Sequence, residues 1–192
     1  MDIKKTLILT IGTKAQSIVD LLYKNNSDLN FLCLDREQTI INTTKTKTIW
    51  YNNLNFQKTE YDFTAYKDIL LKRTSKFNSI ISGYKNIVVA SVIDETFGSD
   101  TLIEILGYLN KIKIKHIVFV VKSFDIFESK KSYNCTDITL DKISKMKYES
   151  GKNLFVFDCE EVINTTHEKG TSTKSIICNK ASKILSMILE LN

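Results

Sequence analysis

Short runs of consecutive apolar residues alternate along this chain with longer stretches in which apolar residues recur every three or four positions. The short runs are residues 6–11, 30–34, 48–51, 86–90, 116–121 and 153–157. Runs this short and this apolar predict strands buried on both faces. The longer stretches predict helices. Residues 15–23 carry Ile18, Val19, Leu21 and Leu22, and residues 66–84 carry Ile69, Leu70, Phe77, Ile80 and Ile81 at helical spacing. Helices are also predicted over 101–112, 138–148 and 174–191. The first of these three is expected to open on a capping-box pattern, Thr101-x-x-Glu104. In the last, Ile176, Ile177, Ala181, Ile184, Leu185, Ile188 and Leu191 share one broad face. Asn179, Lys180, Lys183, Ser186 and Glu190 fall mostly opposite, so this helix is expected to meet one core and then solvent.

Apolar strands alternating with helices of ten or more residues imply parallel pairing through right-handed crossovers. The predicted fold class is therefore α/β, a three-layer sandwich with a mostly parallel sheet. Ligands of such sheets bind beyond the carboxyl ends of the strands, which nominates the segments after Ile11, Leu34, Ala90, Val121 and Phe157. Residues 52–62 and 164–173 are the expected mobile regions.

Composition narrows the reading. A chain of 192 residues suits one domain, and it buries enough surface to need no disulfide or metal staple. It has 6 glycines and no proline, where average usage gives roughly 13 and 10. That excludes proline-rich linkers, collagen-like repeats and Gly/Ser tethers, and it limits any phosphate loop built of glycine. The net charge of +5 is spread along the chain, and no nucleic-acid partner is expected from it. Cys33, Cys135, Cys159 and Cys178 form no C-x-x-C pair, and His116 and His167 lie far apart, so no metal site is expected. No run of about 18 apolar residues is present, so no membrane span is expected. The chain reads as cytoplasmic with reduced thiols.

Three strand-end segments draw attention. Gly12-Thr13-Lys14-Ala15-Gln16 follows the first strand but matches neither G-x-G-x-x-G nor G-x-x-x-x-G-K-[ST]. The fourth strand is followed by Ser91-Val92-Ile93-Asp94-Glu95-Thr96-Phe97-Gly98-Ser99-Asp100. A helix starting here would aim its free N–H groups at an anion, and Thr96, Gly98 and Ser99 suit phosphate. Asp94 and Glu95 do not, because a carboxylate about 4 Å from a phosphate repels it by roughly 1 kcal/mol in water and more when buried. The alternative is that Ser99 or Thr101 caps the helix while the acids sit in solvent. After the fifth strand, Glu128 is an acidic residue of the kind that hydrogen-bonds ribose, or a solvated charge.

Taken together, these segments resemble the nucleotide-binding domain of the FtsZ/tubulin family across nearly the whole chain. Residues 8–20, Ile-Leu-Thr-Ile-Gly-Thr-Lys-Ala-Gln-Ser-Ile-Val-Asp, follow the family's first strand, glycine turn and N-A-V-N helix without a gap. Phe31-Leu32-Cys33-Leu34-Asp35-Arg36-Glu37-Gln38 resembles the strand ending in N-T-D-A-Q. The A-G-M-G-G-G-T-G-T-G signature falls on residues 90–99, where Ala90 and Thr96 match. V-V-T-K-P-F-x-F-E falls on residues 120–128, where Phe127 and Glu128 match. The departures are as informative. The phosphate-loop glycines are almost all replaced, two of them by acids, and no G-L-G-A-G loop follows the third strand. Ser132 stands where the family often has arginine, Cys178 where it has an aromatic residue near the base, and Ser182 where it has the Asp or Asn that reads guanine.

The resemblance implies one nucleotide-binding domain over residues 1–192, without the family's second domain and its catalytic acidic loop. GTP or GDP is expected to bind weakly if at all, through Gly12, Thr13, Thr96, Gly98, Ser99, Glu128 and Ser182, with no catalytic residue. The expected role is a non-hydrolysing binding or assembly module linked to cell division or a bacterial-type cytoskeleton. Its partner would be another protein or a second copy, including a full-length FtsZ-like protein. Two alternatives stand beside it: a GTPase completed in trans by a partner subunit, and an α/β interaction domain that takes no nucleotide.

Overall fold

The computed structural model describes residues 5–25, 29–35, 47–50, 77–93, 97–122, 130–146, 153–164 and 172–191. The elements run β1 (Thr6–Ile11), α1 (Thr13–Asn25), β2 (Asn30–Asp35), β3 (Lys47–Trp50), α2 (helical residues 77–81), β4 (Asn86–Ile93) and α3 (Phe97–Lys111). They continue with β5 (His116–Lys122), α4 (Lys130–Ser144), β6 (Leu154–Asp158), α5 (Cys159–Asn164) and α6 (Thr173–Leu191). The six strands form one sheet in the order β3-β2-β1-β4-β5-β6, and every pairing in it is parallel. The expected three-layer α/β architecture is the one observed.

Strand alternation divides the core in two. Leu7, Leu9, Ile11, Ile87, Val89, Val118 and Val120 point to one face, where they meet Phe77 and Ile81 of α2, Leu102, Ile105, Leu106 and Leu109 of α3, and Ile143 of α4. Ile8, Val88, Ala90, Phe119 and Val121 point to the other, against α1 and α6. β1 is buried along its whole length, Thr6 and Thr10 included, so apolar residues fall on both of its faces. Each fully buried Leu or Ile contributes about 1.5–3 kcal/mol.

Several boundaries differ from the sequence expectation. β4 runs three residues past Ala90, because Ser91, Val92 and Ile93 are buried and pair with Val120, Val121 and Lys122. α3 begins at Phe97 rather than at 101, which puts Thr101 in the helix interior, fully buried, so the capping box does not open this helix. The helix ends in a Schellman turn: Ile114 N–H donates to Leu109 O, Lys113 N–H to Asn110 O, and Lys113 sits at φ 57°. α4 begins at Lys130 rather than 138; its first two turns, Lys-Lys-Ser-Tyr-Asn-Cys-Thr-Asp, carry no apolar period to signal a helix. α5 was not expected, being a single short helix capped by Asp158, whose Oδ1 accepts the Glu160 N–H at 2.9 Å. α6 matches its expected span, with Ser172 capping through the Ser175 N–H. Its apolar stripe is wider than the core covers: Ala181, Leu185, Ile188 and Leu189 are buried, but Ile184 and Met187 are exposed. The expectation of a simple core-then-solvent helix is corrected to that extent. Residues 52–62, 66–76 and 165–171 lie outside the described residues.

Candidate functional site

From β1 the chain moves outward through β2 and β3, then returns to the centre at β4 and proceeds the other way through β5 and β6. The reversal falls between β1 and β4, and the crevice beyond their carboxyl ends is where a parallel sheet of this order accepts ligands. Ile11 and Ser91 are partners in register there. Gly12 therefore leaves β1 beside the point where β4 passes into its last turn toward α3.

Gly12 adopts φ +82°, a left-handed conformation that favours glycine, and a Cβ there would meet nothing within 4 Å. Its requirement is thus conformational rather than steric. Its backbone is already engaged: the N–H donates to Leu34 O at 2.8 Å, and the carbonyl accepts the Gln16 N–H at 3.3 Å. Gln16 is buried, and its Oε1 accepts the Cys33 thiol at 3.4 Å. On the β1–β2 side the floor of the crevice is therefore closed by internal contacts. Thr13 follows as the first residue of α1.

The β4 side is tighter still. Ser91 Oγ donates to Gly98 O at 3.4 Å. A Cβ added at Gly98 would lie 2.6 Å from Val92 O, so only glycine lets the first turn of α3 settle this close to the strand. Ser99 is buried in the same turn. Strand end and helix start, Ile93 and Phe97, are separated by residues 94–96 alone. The structure thus brings Gly12, Thr13, Gly98 and Ser99 to the carboxyl ends of two adjoining strands. Thr96 and Glu128 lie outside the described residues. Ser182 is buried midway along α6, the helix packed on α1.

An ion pair that the sequence did not signal stands at the neighbouring strand ends. Lys122 and Asp158 are partners in register on β5 and β6, and Lys122 Nζ lies 3.3 Å from Asp158 Oδ2. Lys122 is also in register with Ile93. A cation at the carboxyl end of β5 is therefore held by a carboxylate, which lowers its availability to an incoming anion. The 36 positions separating the two residues in sequence leave no local pattern from which to foresee them. Next to Asp158, burial first, with the charges of Asp158 and Cys178 adding, pushes the Cys159 thiol up to about 12. A thiol held protonated at neutral pH is not a nucleophile. Among the described residues no group of His, Cys, Asp or Glu could hold a metal ion, and no helix is long and apolar enough to cross a membrane.

No protein-family profile and no curated protein matches this sequence. Solved structures do. TubZ of Clostridium botulinum phage c-st superposes with a TM-score of 0.70 at 16% identity, over 97% of this chain and 61% of TubZ. The phage tubulin PhuZ, solved with GDP, gives 0.65 at 14% identity over 98% of this chain and 56% of PhuZ. An FtsZ mutant from M. jannaschii gives 0.64 at 12% identity over 94% of this chain and 53% of FtsZ. PhuZ201 has also been solved as a filament. The chain spans between half and two thirds of the length of these structures. Strand order, the two core layers and these superpositions agree that this chain has an FtsZ/tubulin-like fold.

Proposed function

We propose that the chain is a pseudo-GTPase: a binding or assembly module of the bacterial cytoskeleton or cell-division apparatus that uses the FtsZ/tubulin nucleotide fold without hydrolysing GTP. The observation that carries this reading is the β4–α3 connection. The resemblance places a glycine-rich phosphate loop over residues 90–99, but β4 continues to Ile93 and α3 starts at Phe97. What remains between them is Asp94-Glu95-Thr96, of which two residues repel phosphate. The Gly12 N–H, an obvious donor to a phosphate oxygen, is spent on Leu34 O. Any residual nucleotide contact would come from Gly12, Thr13, Thr96, Gly98, Ser99, Glu128 and Ser182. Assembly with a second copy or a full-length relative is the role left to such a fold, and the filament of PhuZ201 is consistent with it.

The test is titration of the purified protein with GTP and GDP, paired with phosphate release. The expected result is binding no tighter than millimolar and no turnover above the buffer rate. Turnover that Thr96→Ala abolishes would overturn the proposal in favour of an active GTPase.

A further inference from the structure

β6 closes one side of the sheet, and its outer edge has the makings of a pairing surface. Val118 N–H donates to Asn153 O at 2.7 Å. Backbone groups alternate in direction along a strand, so Asn153, Phe155 and Phe157 turn theirs toward β5. Leu154 and Val156 therefore turn their N–H and C=O groups outward, and Asp158 its N–H, since its C=O serves the first turn of α5. Among the described residues, no strand pairs with that side. Edge strands are commonly blunted by lysine, proline or a bulge. Here the strand reads Leu-Phe-Val-Phe-Asp, with neither lysine nor proline. Phe155 is 38% exposed and Val156 48%. Neighbouring side chains point to opposite faces, so the edge offers apolar surface on both.

We propose that this edge pairs antiparallel with the same edge of a second copy, about a two-fold axis through Val156. The sequence argues for a second copy over an unrelated strand. Phe-Val-Phe reads alike in both directions, so Phe155 of each copy falls opposite Phe157 of the other, and Val156 falls opposite itself. The backbone agrees with this register. An antiparallel two-fold centred on an outward-facing residue makes a hydrogen-bonded pair of that residue with its own counterpart. Val156 is the middle of the three outward residues, so on either side the Asp158 N–H of one copy meets the Leu154 C=O of the other. Moving the axis to either end loses one of these pairs. Charge does not oppose the contact, because the Asp158 carboxylate is held by Lys122 within its own copy. A two-fold contact closes on itself and gives a dimer, which distinguishes it from filament growth. A strand this short covers less than the roughly 800 Å² per partner of a standard interface, so the dimer is concentration-dependent.

Sedimentation velocity over a concentration series tests this. The wild-type chain is expected to shift from monomer toward dimer as concentration rises. Val156→Lys places two ammonium groups opposite each other and is expected to leave the chain monomeric at every concentration, with an unchanged circular dichroism spectrum. Val156→Cys supplies a readout independent of that variant's folding. Cα atoms of a hydrogen-bonded antiparallel pair stand about 5.5 Å apart, within disulfide reach. Oxidised glutathione should take two electrons and two protons from the two introduced thiols, leaving two glutathione thiols and a dimer whose junction peptide links the two introduced thiols. A wild-type chain that stays monomeric, a dimer that survives Val156→Lys, or the absence of that junction peptide would each overturn the proposal. A monomeric wild type would leave the edge to a different partner.

Discussion

Gly98 shows how a single residue type decides the site. Its Cα lies so close to β4 that any side chain would strike the Val92 carbonyl, and Ser91 Oγ bonds the Gly98 carbonyl from the same strand. In the sequence this glycine reads as a candidate phosphate contact. In the structure it is a packing residue that lets α3 start early. Gly98→Ala is therefore expected to destabilise the fold by about 1–3 kcal/mol, the cost of overpacking a site that cannot yield. Urea unfolding should show a lower midpoint at unchanged slope. Gly12 differs in kind: its left-handed φ favours glycine while the space around it is open. Thr13 and Ser99, expected in strand-end segments ahead of their helices, lie inside the first turns of α1 and α3. The commitment of the Gly12 N–H to Leu34 was not readable, because it depends on β2 lying alongside β1.

At the scale of elements, the apolar strands were legible because burial on both faces leaves few polar positions. β1 matches its expected span to the residue. The elements that were missed or mis-bounded owe their form to partners. β4 extends because β5 continues beside it, and α4 starts early over residues with no apolar period. α5 exists because Asp158 caps it, while Glu160 and Glu161 sit favourably in its first turn. Asp158 has two roles there, as cap and as ion-pair partner, and they can be separated. Asp158→Ala is expected to cost about 0.5–2 kcal/mol, mainly the cap. Lys122→Met removes only the partly exposed ion pair and is expected to cost less, at most about 1 kcal/mol. Thermal melts of the two variants give the order, and an equal loss would assign the effect to the ion pair alone.

Across the whole molecule, folding stability should carry the imprint of His116, buried at the start of β5. Burial lowers its pKa below the ordinary value of 6.5, and the hydrogen bond of its Nδ1 with the Ile114 carbonyl opposes the shift only in part. The unfolded chain then binds a proton at this residue more readily than the folded one. The contribution is fully present above about pH 6.5 and is lost as pH falls from there toward the lowered folded value. Melting temperature is expected to drop between pH 7 and pH 5, and the drop should shrink in His116→Gln. An unchanged pH dependence in that variant would show that other groups carry the acid sensitivity.

What the sequence determined by itself is the class of the molecule. Continuous apolar runs alternating with amphipathic stretches admit a parallel sheet between two helical layers and little else, since each pattern must bury its own face. The scarcity of glycine already limited any phosphate loop built of glycine. Tertiary structure decided what became of the space. Pairing with β5 drew β4 out to Ile93, Gly98 seated α3 against it, and the β5–β6 register set Lys122 against Asp158. These contacts join residues distant in sequence, and their free energy depends on which chains lie side by side. Periodicity reports only that a face will be buried; the neighbour that buries it, and the room left over for a ligand, exist only once the sheet has formed.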